Sequence, residues 1–403
     1  PLKLTTYHRG KPDTELPGTD TFHSTELFHV YEATPGYAPL LIVASENGIP
    51  VAKLLAAIRK SVRLFPPAII KRCEVYGTGE YFDETLDREA VFSDMLQRLT
   101  DEAAEAFLIE FRNLDNSLSG YKVFRENRYF AVNWLRVRNS LHNVEQVESR
   151  FSSSRIRQIK KGLNNGAEVK EAHTPEEIHA FAQDAALQLL CQDTAHFPSI
   201  DFFQLLEKQM PRKSRIFIVT YKDKVIGGSV CIYSNNSAYL WFSGGMRKNN
   251  ALQYPGILAV WQALHDAKER GYRHLEFMDV GLPFHKHGYR EFVLRFGGKQ
   301  ISTRRWFRFR WEWLNRVLIK MYGKRAIGLF YRPLTNILPT DGSIIPFFHL
   351  NSSDTPTAFS ILSVNDSSTD ALPKLRKNND ILSIILLPYT MQQLLLVIFH
   401  FDS

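Results

Sequence analysis

Cysteine is scarce in this chain: three among 403 residues (Cys73, Cys191 and Cys231), odd in number and far apart. That spacing argues against a disulfide framework or a cysteine-built metal knuckle and favours a reducing compartment. Cys73 follows Lys71 and Arg72, but no base is aimed at it, so a buried, inert thiol is expected. There is no GxxxxGK[ST] phosphate loop and no GxGxxG after a strand, so kinase, GTPase and dinucleotide-enzyme readings lose their main support. No basic stretch leads into an apolar run near the N-terminus, so a secretory signal is not expected and a cytoplasmic location is. His285 and His287 flank Lys286 without carboxylates in support, which does not make a metal site.

What is present fits a globular body. An apolar fraction of 44% with 12% aromatics suffices for packed cores, and the length suggests two or three domains. The net charge of +8 is concentrated: nine Lys/Arg and one acid, Glu312, lie between Ile301 and Leu334. An anionic partner should meet that segment first. Within it, Arg304-Arg-Trp-Phe-Arg-Phe-Arg-Trp-Glu-Trp313 interleaves arginines with three of the six tryptophans. Such a run suits single-stranded nucleic acid or a membrane surface. It would equally serve as an aromatic face closing a core, with the arginines solvated.

One architectural unit occurs twice. Leu40–Leu55 and Arg215–Tyr233 each read as strand, polar turn, strand. Aligning Ile42 with Ile218 also matches Val43 with Val219, Asn47 with Asp223, Ile49 with Val225 and Leu54 with Val230. A helix and a strand follow each hairpin, near Asp87–Ala104 and Ala106–Arg112 in the first copy and Pro255–Arg270 and His274–Val280 in the second. Two α/β domains of like topology are expected. Between them, Ser152 begins a basic helix with Ile156, Ile159 and Leu163 on its apolar face and Arg157, Lys160 and Lys161 off it. Thr174-Pro-Glu-Glu177 is a capping box opening a helix that should run to about Cys191. Beyond Pro339 the character changes: residues 350–370 read as a polar linker. Ile381–Phe401 is an uncharged run that would suit a membrane anchor, an interfacial helix or an appended sequence.

Two segments carry the polar chemistry. In the first, a β-rich run ends at Gly244-Gly245, a loop carries Arg247, Lys248 and Gln253, and a helix opens at Pro255. Free amides at a helix start, with two cations beside them, make a phosphate site. The second is Glu276-Phe-Met-Asp-Val-Gly-Leu-Pro-Phe-His-Lys-His-Gly-Tyr-Arg-Glu-Phe-Val-Leu-Arg-Phe-Gly-Gly298, a strand whose end presents Asp279 before a polar loop and a helical turn.

Residues Ser152–Phe309 resemble the second domain of the Fem-type aminoacyl and acyl ligases of the GNAT acyltransferase superfamily. The likeness is carried in order by Arg155–Lys161, Val225-Ile-Gly-Gly228, Tyr239-Leu-Trp241, Leu275–Asp279 and Phe292–Gly298. Residues from about Thr21 to Asn139 resemble a degenerate first GNAT-like domain. The resemblance implies an α/β fold of two tandem GNAT-like domains, mixed β-sheets flanked by helices, with a C-terminal tail. The expected divisions are 1–148 (degenerate first domain), 149–338 (acyltransferase domain) and 339–403 (linker and tail).

It also implies transfer of an acyl or aminoacyl group to an amine of a cell-envelope or lipid precursor. No tightly bound cofactor is expected. Acyl-CoA, an acyl-carrier protein or aminoacyl-tRNA would be the donor, and residues 301–334 would contact the inner face of the membrane peripherally. Asp279 is then the first base candidate, with His285 and Glu276 behind it. Gly244, Gly245, Arg247, Lys248 and Gln253 would bind the coenzyme. Arg155, Arg157, Lys160, Trp241, Tyr289, Arg290 and Arg295 would bind substrate. One position departs from the family pattern: Val293 stands where aminoacyl ligases often carry lysine, which favours acyl-CoA or acyl-carrier donors over aminoacyl-tRNA. The alternative is a non-catalytic tRNA- or membrane-binding protein on a decayed ligase fold.

Overall fold

A computed structural model describes residues 2–322, apart from residues 11, 13–15, 61–70, 115, 184–197, 247–248 and 284–285. Cys191, the linker, the uncharged run and all of 339–403 lie outside the described residues.

The first half contains β1 (Leu2–Tyr7), α1 (Thr25–Ala33), β2 (Tyr37–Glu46), β3 (Ile49–Lys60), β4 (Lys71–Tyr76) and β5 (Glu80–Tyr81). It continues through α2 (Arg88–Glu102), β6 (Leu108–Arg112), α3 (Tyr121–Glu126) and β7 (Phe130–Ser140). The second begins with α4 (Ser153–Asn164), β8 (Glu168–Glu171), α5 (Pro175–Gln183) and α6 (Ile200–Gln209). After these come β9 (Ser214–Tyr221), β10 (Lys224–Ser234), β11 (Ser237–Gly245), α7 (Pro255–Glu269), β12 (His274–Phe277), α8 (Gly288–Leu294), β13 (Lys299–Phe309) and α9 (Glu312–Tyr322).

The helix starts follow their sequence signals. Ser152 accepts from the Arg155 amide, and Thr174 and Glu177 exchange hydrogen bonds with each other's amides as a capping box. The buried face of α4 differs from expectation. It is Arg155, Ile159 and Gly162, whereas Leu163 is exposed. Gly162 is the reason: a Cβ there would collide with the carbonyl of Gln253, so the helix turns its smallest residue inward.

The two hairpins repeat each other in a frame one residue shorter than the apolar alignment suggests. Asn47-Gly48 and Lys222-Asp223 both hold positive φ, the signature of a type I′ turn, so Asn47 corresponds to Lys222. Each hairpin then carries a bulge at the same place, with Val51 and Ile226 as the unpaired residues. Ile42 therefore corresponds to Phe217, not Ile218. Ile42 and Phe217 each pack beneath their own half's helices, whereas Ile218 faces the opposite side of the sheet. A one-residue slip moves every side chain to the other face.

Among the described residues, thirteen strands join in one sheet, in the order β1-β2-β3-β4-β6-β13-β7-β12-β11-β10-β9-β8, with β5 on β3. The last strand of each half crosses to the other: β7 pairs with β12 and β13, and β13 pairs with β6. The halves thus share a seam at the centre of the sheet. On one face α2 and α3 cover the first half's core, and α4, α7 and α8 cover the second's. On the other face a third cluster spans both halves, joining Phe22, Tyr31, Leu55 and Tyr76 to Phe202, Ile218 and Val230.

Candidate functional site

The second half opens where the first stays closed. Strands β11 and β12 run parallel and pair from Ser237↔His274 to Leu240↔Phe277, then part. β11 continues to Gly245 along β10, while the chain after β12 returns to β7 at Gly281, whose carbonyl accepts from the Leu135 amide. A wedge is left between Trp241–Gly245 and Met278–Val280. In the first half the equivalent parallel pair, β4 and β6, is bonded through Tyr76↔Arg112, and the Gly77 amide adds a further bond to the Arg112 carbonyl.

The wedge runs into the start of α7. A Cβ on Gly245 would collide with the Gly256 amide, and one on Gly227 would lie 2.9 Å from Pro255 Cβ, so these glycines permit the close approach of strands and helix. Tyr254 enters α7 in the left-handed region (φ 49°), and Pro255 occupies the first turn. Among the described residues no side chain caps α7 and no acid lies in its first turn. Pro255 has no amide proton and the Ile257 and Leu258 amides bond the Tyr254 carbonyl, so this helix start offers the Gly256 amide and its partial positive charge. The first half's equivalent, α2, is capped by the Asp87 carboxylate, which accepts from the Glu89 and Ala90 amides. Gln253 is buried and acts through its backbone: its carbonyl faces Gly162, and Asn165 donates to the Leu252 carbonyl at 2.9 Å. Helix α4 thereby braces the loop. Arg247 and Lys248 lie outside the described residues.

Two expected substrate residues stand at the wedge. The Tyr289 hydroxyl, on α8, is 3.3 Å from Ser243 Oγ on β11. Trp241 donates its indole N–H to Tyr76 Oη at 3.0 Å and packs against Phe202 and Phe242.

Asp279 sits at the wedge but is unsuited to the role of base. It accepts from Arg305, from Trp134 Nε1 at 3.1 Å and from Arg112 at 3.4 Å. Burial pushes its carboxyl up, but Arg305 and Arg112 outweigh that and bring it down to about 2. A carboxylate held so acidic is a weak proton acceptor at neutral pH and a durable anion. Glu276 is buried and ion-paired with Arg138 and, at 3.7 Å, Arg136. It is a structural counter-ion. His285 lies outside the described residues.

Several expected anion-binding arginines are spent internally. Arg155 is buried, donates to the Phe292 carbonyl at 2.8 Å and lies 4.5 Å from the Phe292 and Phe296 ring centres. Burial, with Arg295 adding to it, lowers its pKa to about 10. Arg290 donates to the Val280 and Leu282 carbonyls and ties down the turn after β12. Arg157, Lys160 and Arg295 are exposed. Val293 is wholly buried in the second half's core, so a lysine at that position would have to be accommodated there.

The basic aromatic segment divides the same way. Arg305 is buried, Arg304 and Arg308 bond the Ser117 and Asn127 carbonyls, and Trp306 is enclosed against Phe124. The outward stripe of α9 is Trp313, Arg316, Val317 and Lys320, with Trp311 stacked on Trp313.

Sequence reasoning missed the charged centre of the sheet. Glu110 meets Arg72, Arg112 and Arg305; Glu74 meets Arg59, Arg72 and Arg112. Burial raises the Glu110 carboxyl, and Arg72, Arg112 and Arg305 outweigh that to hold it at about 2. The available signal was period-two charge within otherwise apolar strands: Glu110 and Arg112 on β6, and Arg136 and Arg138 on β7.

Residues 153–287 match the family described as "Acetyltransferase (GNAT) domain". No curated protein matches the chain. Among solved structures, FemX is similar over 76% of this chain and 95% of its own, with a TM-score of 0.51 at 11% identity. A tandem GNAT protein from the clavulanic acid biosynthesis pathway is 12% identical over 71% of this chain and 87% of its own, with a TM-score of 0.47. L-PGS from Bacillus licheniformis is 12% identical over 78% of this chain and 99% of its own, with a TM-score of 0.45. Residues 153–287 are thus similar to a GNAT domain, and the fold is α/β, two tandem GNAT-like units sharing one mixed sheet.

Proposed function

We propose that this protein is an N-acyltransferase that takes an acyl group from acyl-CoA and delivers it to an amine of a cell-envelope or lipid precursor. The GNAT match supports the reaction class. The observation that carries the reading is the one-sided wedge: β11 and β12 part after Leu240 and Phe277 against an uncapped helix, whereas β4 and β6 remain paired beside a helix capped by Asp87. The donor's phosphates lie at the start of α7 beside Gly244 and Gly245. Its acyl arm enters the wedge.

The acceptor nitrogen, once it has given up its ammonium proton to solvent, attacks the thioester carbonyl; the C–S bond then breaks, and the nitrogen sheds one of its two protons, which the thiolate gains, leaving an amide N–H. Ser243 and Tyr289 are the hydroxyls placed to hand that proton on. Asp279, a permanent anion, holds the incoming ammonium in position rather than deprotonating it. Aminoacyl-tRNA is the secondary donor class. Trp311, Trp313, Arg316 and Lys320, all exposed, support peripheral contact with the inner face of a membrane carrying the acceptor. No helix among the described residues is long and apolar enough to cross one.

The test is release of free coenzyme A from a series of acyl-CoAs in the presence of amines. Tyr289→Phe should lower kcat by about 10- to 100-fold with KM little changed. Absence of turnover together with absence of coenzyme binding would leave a non-catalytic binding protein as the reading.

A further inference from the structure

At the narrow end of the wedge two side chains rise on the face of the sheet away from α7. Leu240 and Phe277 are the last paired residues of β11 and β12, and both belong to the core beneath α7. Successive strand residues point to opposite faces. The next residue on each strand, Trp241 and Met278, accordingly packs against the opposite cluster, the one that spans both halves. The two side chains therefore stand together where the strands part.

Trp241 is the rigid member of the pair. Its indole N–H is tied to Tyr76 Oη at 3.0 Å. Tyr76 and Phe22 of the first half meet it edge-on, with ring centres 5.7 and 6.2 Å away. Phe202 stands at 5.6 Å, and Phe242 is stacked on it at 5.4 Å. A ring held by a hydrogen bond and four aromatic neighbours does not swing aside cheaply. Beside Met278, the recess at the seam of β7 and β13, lined also by Leu114, Trp134 and Tyr239, has room for only about one water molecule. That recess cannot take a chain of several methylenes.

The wide end of the wedge lies against the start of α7, where Gly245 approaches the Gly256 amide. Four strand residues, about 13 Å, separate Gly245 from Trp241. A coenzyme with its phosphates at α7 spends that span on its pantetheine arm, and its acyl group then meets Trp241 and Met278.

Building on the acyl-transfer reading, we infer that Trp241 is the gauge of acyl length. Its ring, held in place from the first half by Tyr76, closes the narrow end of the wedge, so that short acyl groups such as acetyl are accepted and medium-chain groups such as octanoyl are refused. The closed half thereby acts on the specificity of the open one: it supplies the hydrogen bond and two of the rings that keep the gauge in position.

The experiment is calorimetric titration of the full-length protein with coenzyme A, acetyl-CoA and octanoyl-CoA, which needs no acceptor amine. Acetyl-CoA should bind at least ~10-fold more tightly than octanoyl-CoA. Trp241→Ala should bring that ratio to about 1 or reverse it, because the removed ring leaves an apolar space for the longer chain. Trp241→Phe, which retains a ring, should keep acetyl-CoA ahead. Reading a ratio cancels any weakening common to both ligands, such as that from loss of the Tyr76 bond. Should Trp241→Ala fail to fold, Met278→Ala at the same apex should move the ratio in the same direction. Octanoyl-CoA bound by the wild type as tightly as acetyl-CoA, or a ratio that neither alanine variant moves, would overturn the inference. The outcomes separate from those for the reaction itself: coenzyme A binding with an octanoyl preference would sustain acyl transfer and refute the gauge. Binding of none of the three ligands would overturn both.

Discussion

The indole N–H of Trp241 donates to the Tyr76 hydroxyl at 3.0 Å, and the bond joins equivalent strands of the two halves. Tyr76 ends β4, whose pairing with β6 is complete; Trp241 lies on β11 just past the point where pairing with β12 stops. The closed copy thus braces the open one. Tyr76→Phe retains the stack on Phe22 (5.1 Å) but removes this bond. A loss of about 1 kcal/mol in urea denaturation is expected, together with weaker coenzyme binding. Unchanged stability and affinity would mean that the bond does not brace the wedge.

Asp279→Asn separates a structural anion from a base. The variant removes a carboxylate that faces two guanidiniums and should cost about 2 kcal/mol of stability, less than for a fully enclosed pair because the group is partly exposed. As a group that holds the ammonium, Asp279 should show its loss mainly in KM; a large fall in kcat with KM and stability unaltered would instead restore the base assignment.

Acid should unfold the protein through the central cluster. Asp279 and Glu110 both have folded pKa values of about 2, below the ordinary carboxylate value of about 4. Depressed pKa values make their contribution complete above pH of about 4 and lost as pH falls through about 2. Denaturation midpoints at pH 7, 4 and 3 should therefore drop steeply only at the last step. A flat profile to pH 2 would contradict this.

Cys73 and Cys231 should be silent to thiol reagents in the native state. Both are buried, and burial pushes each thiol up, with nearby carboxylates adding to it. Under unfolding conditions both should react. Rapid native labelling assigned to either residue would refute the packing.

The repeated hairpins, the helix that opens at Pro255 and the strand that leads to Asp279, which ends at Phe277, were legible because each carries a local signal: a turn, a proline or a short apolar run. The hairpin frame was misjudged because apolar residues fill both faces of these buried strands, so hydrophobicity does not mark the register; the type I′ turns do. The crossing of β7 and β13 left no signal, since strand exchange alters partners without altering pattern. Arg155 and Arg290 resembled ligand-binding cations for a related reason: a sequence shows a charge but not the carbonyl or ring that consumes it.

The stoichiometry of coenzyme A binding tests the central claim most directly. If only the second half opens, calorimetry should find one coenzyme per chain, lost in Gly245→Ala, whose new Cβ would meet the start of α7, and retained in Asp87→Asn on the closed half. No binding, two equivalents, or loss on substituting Asp87 would contradict the account.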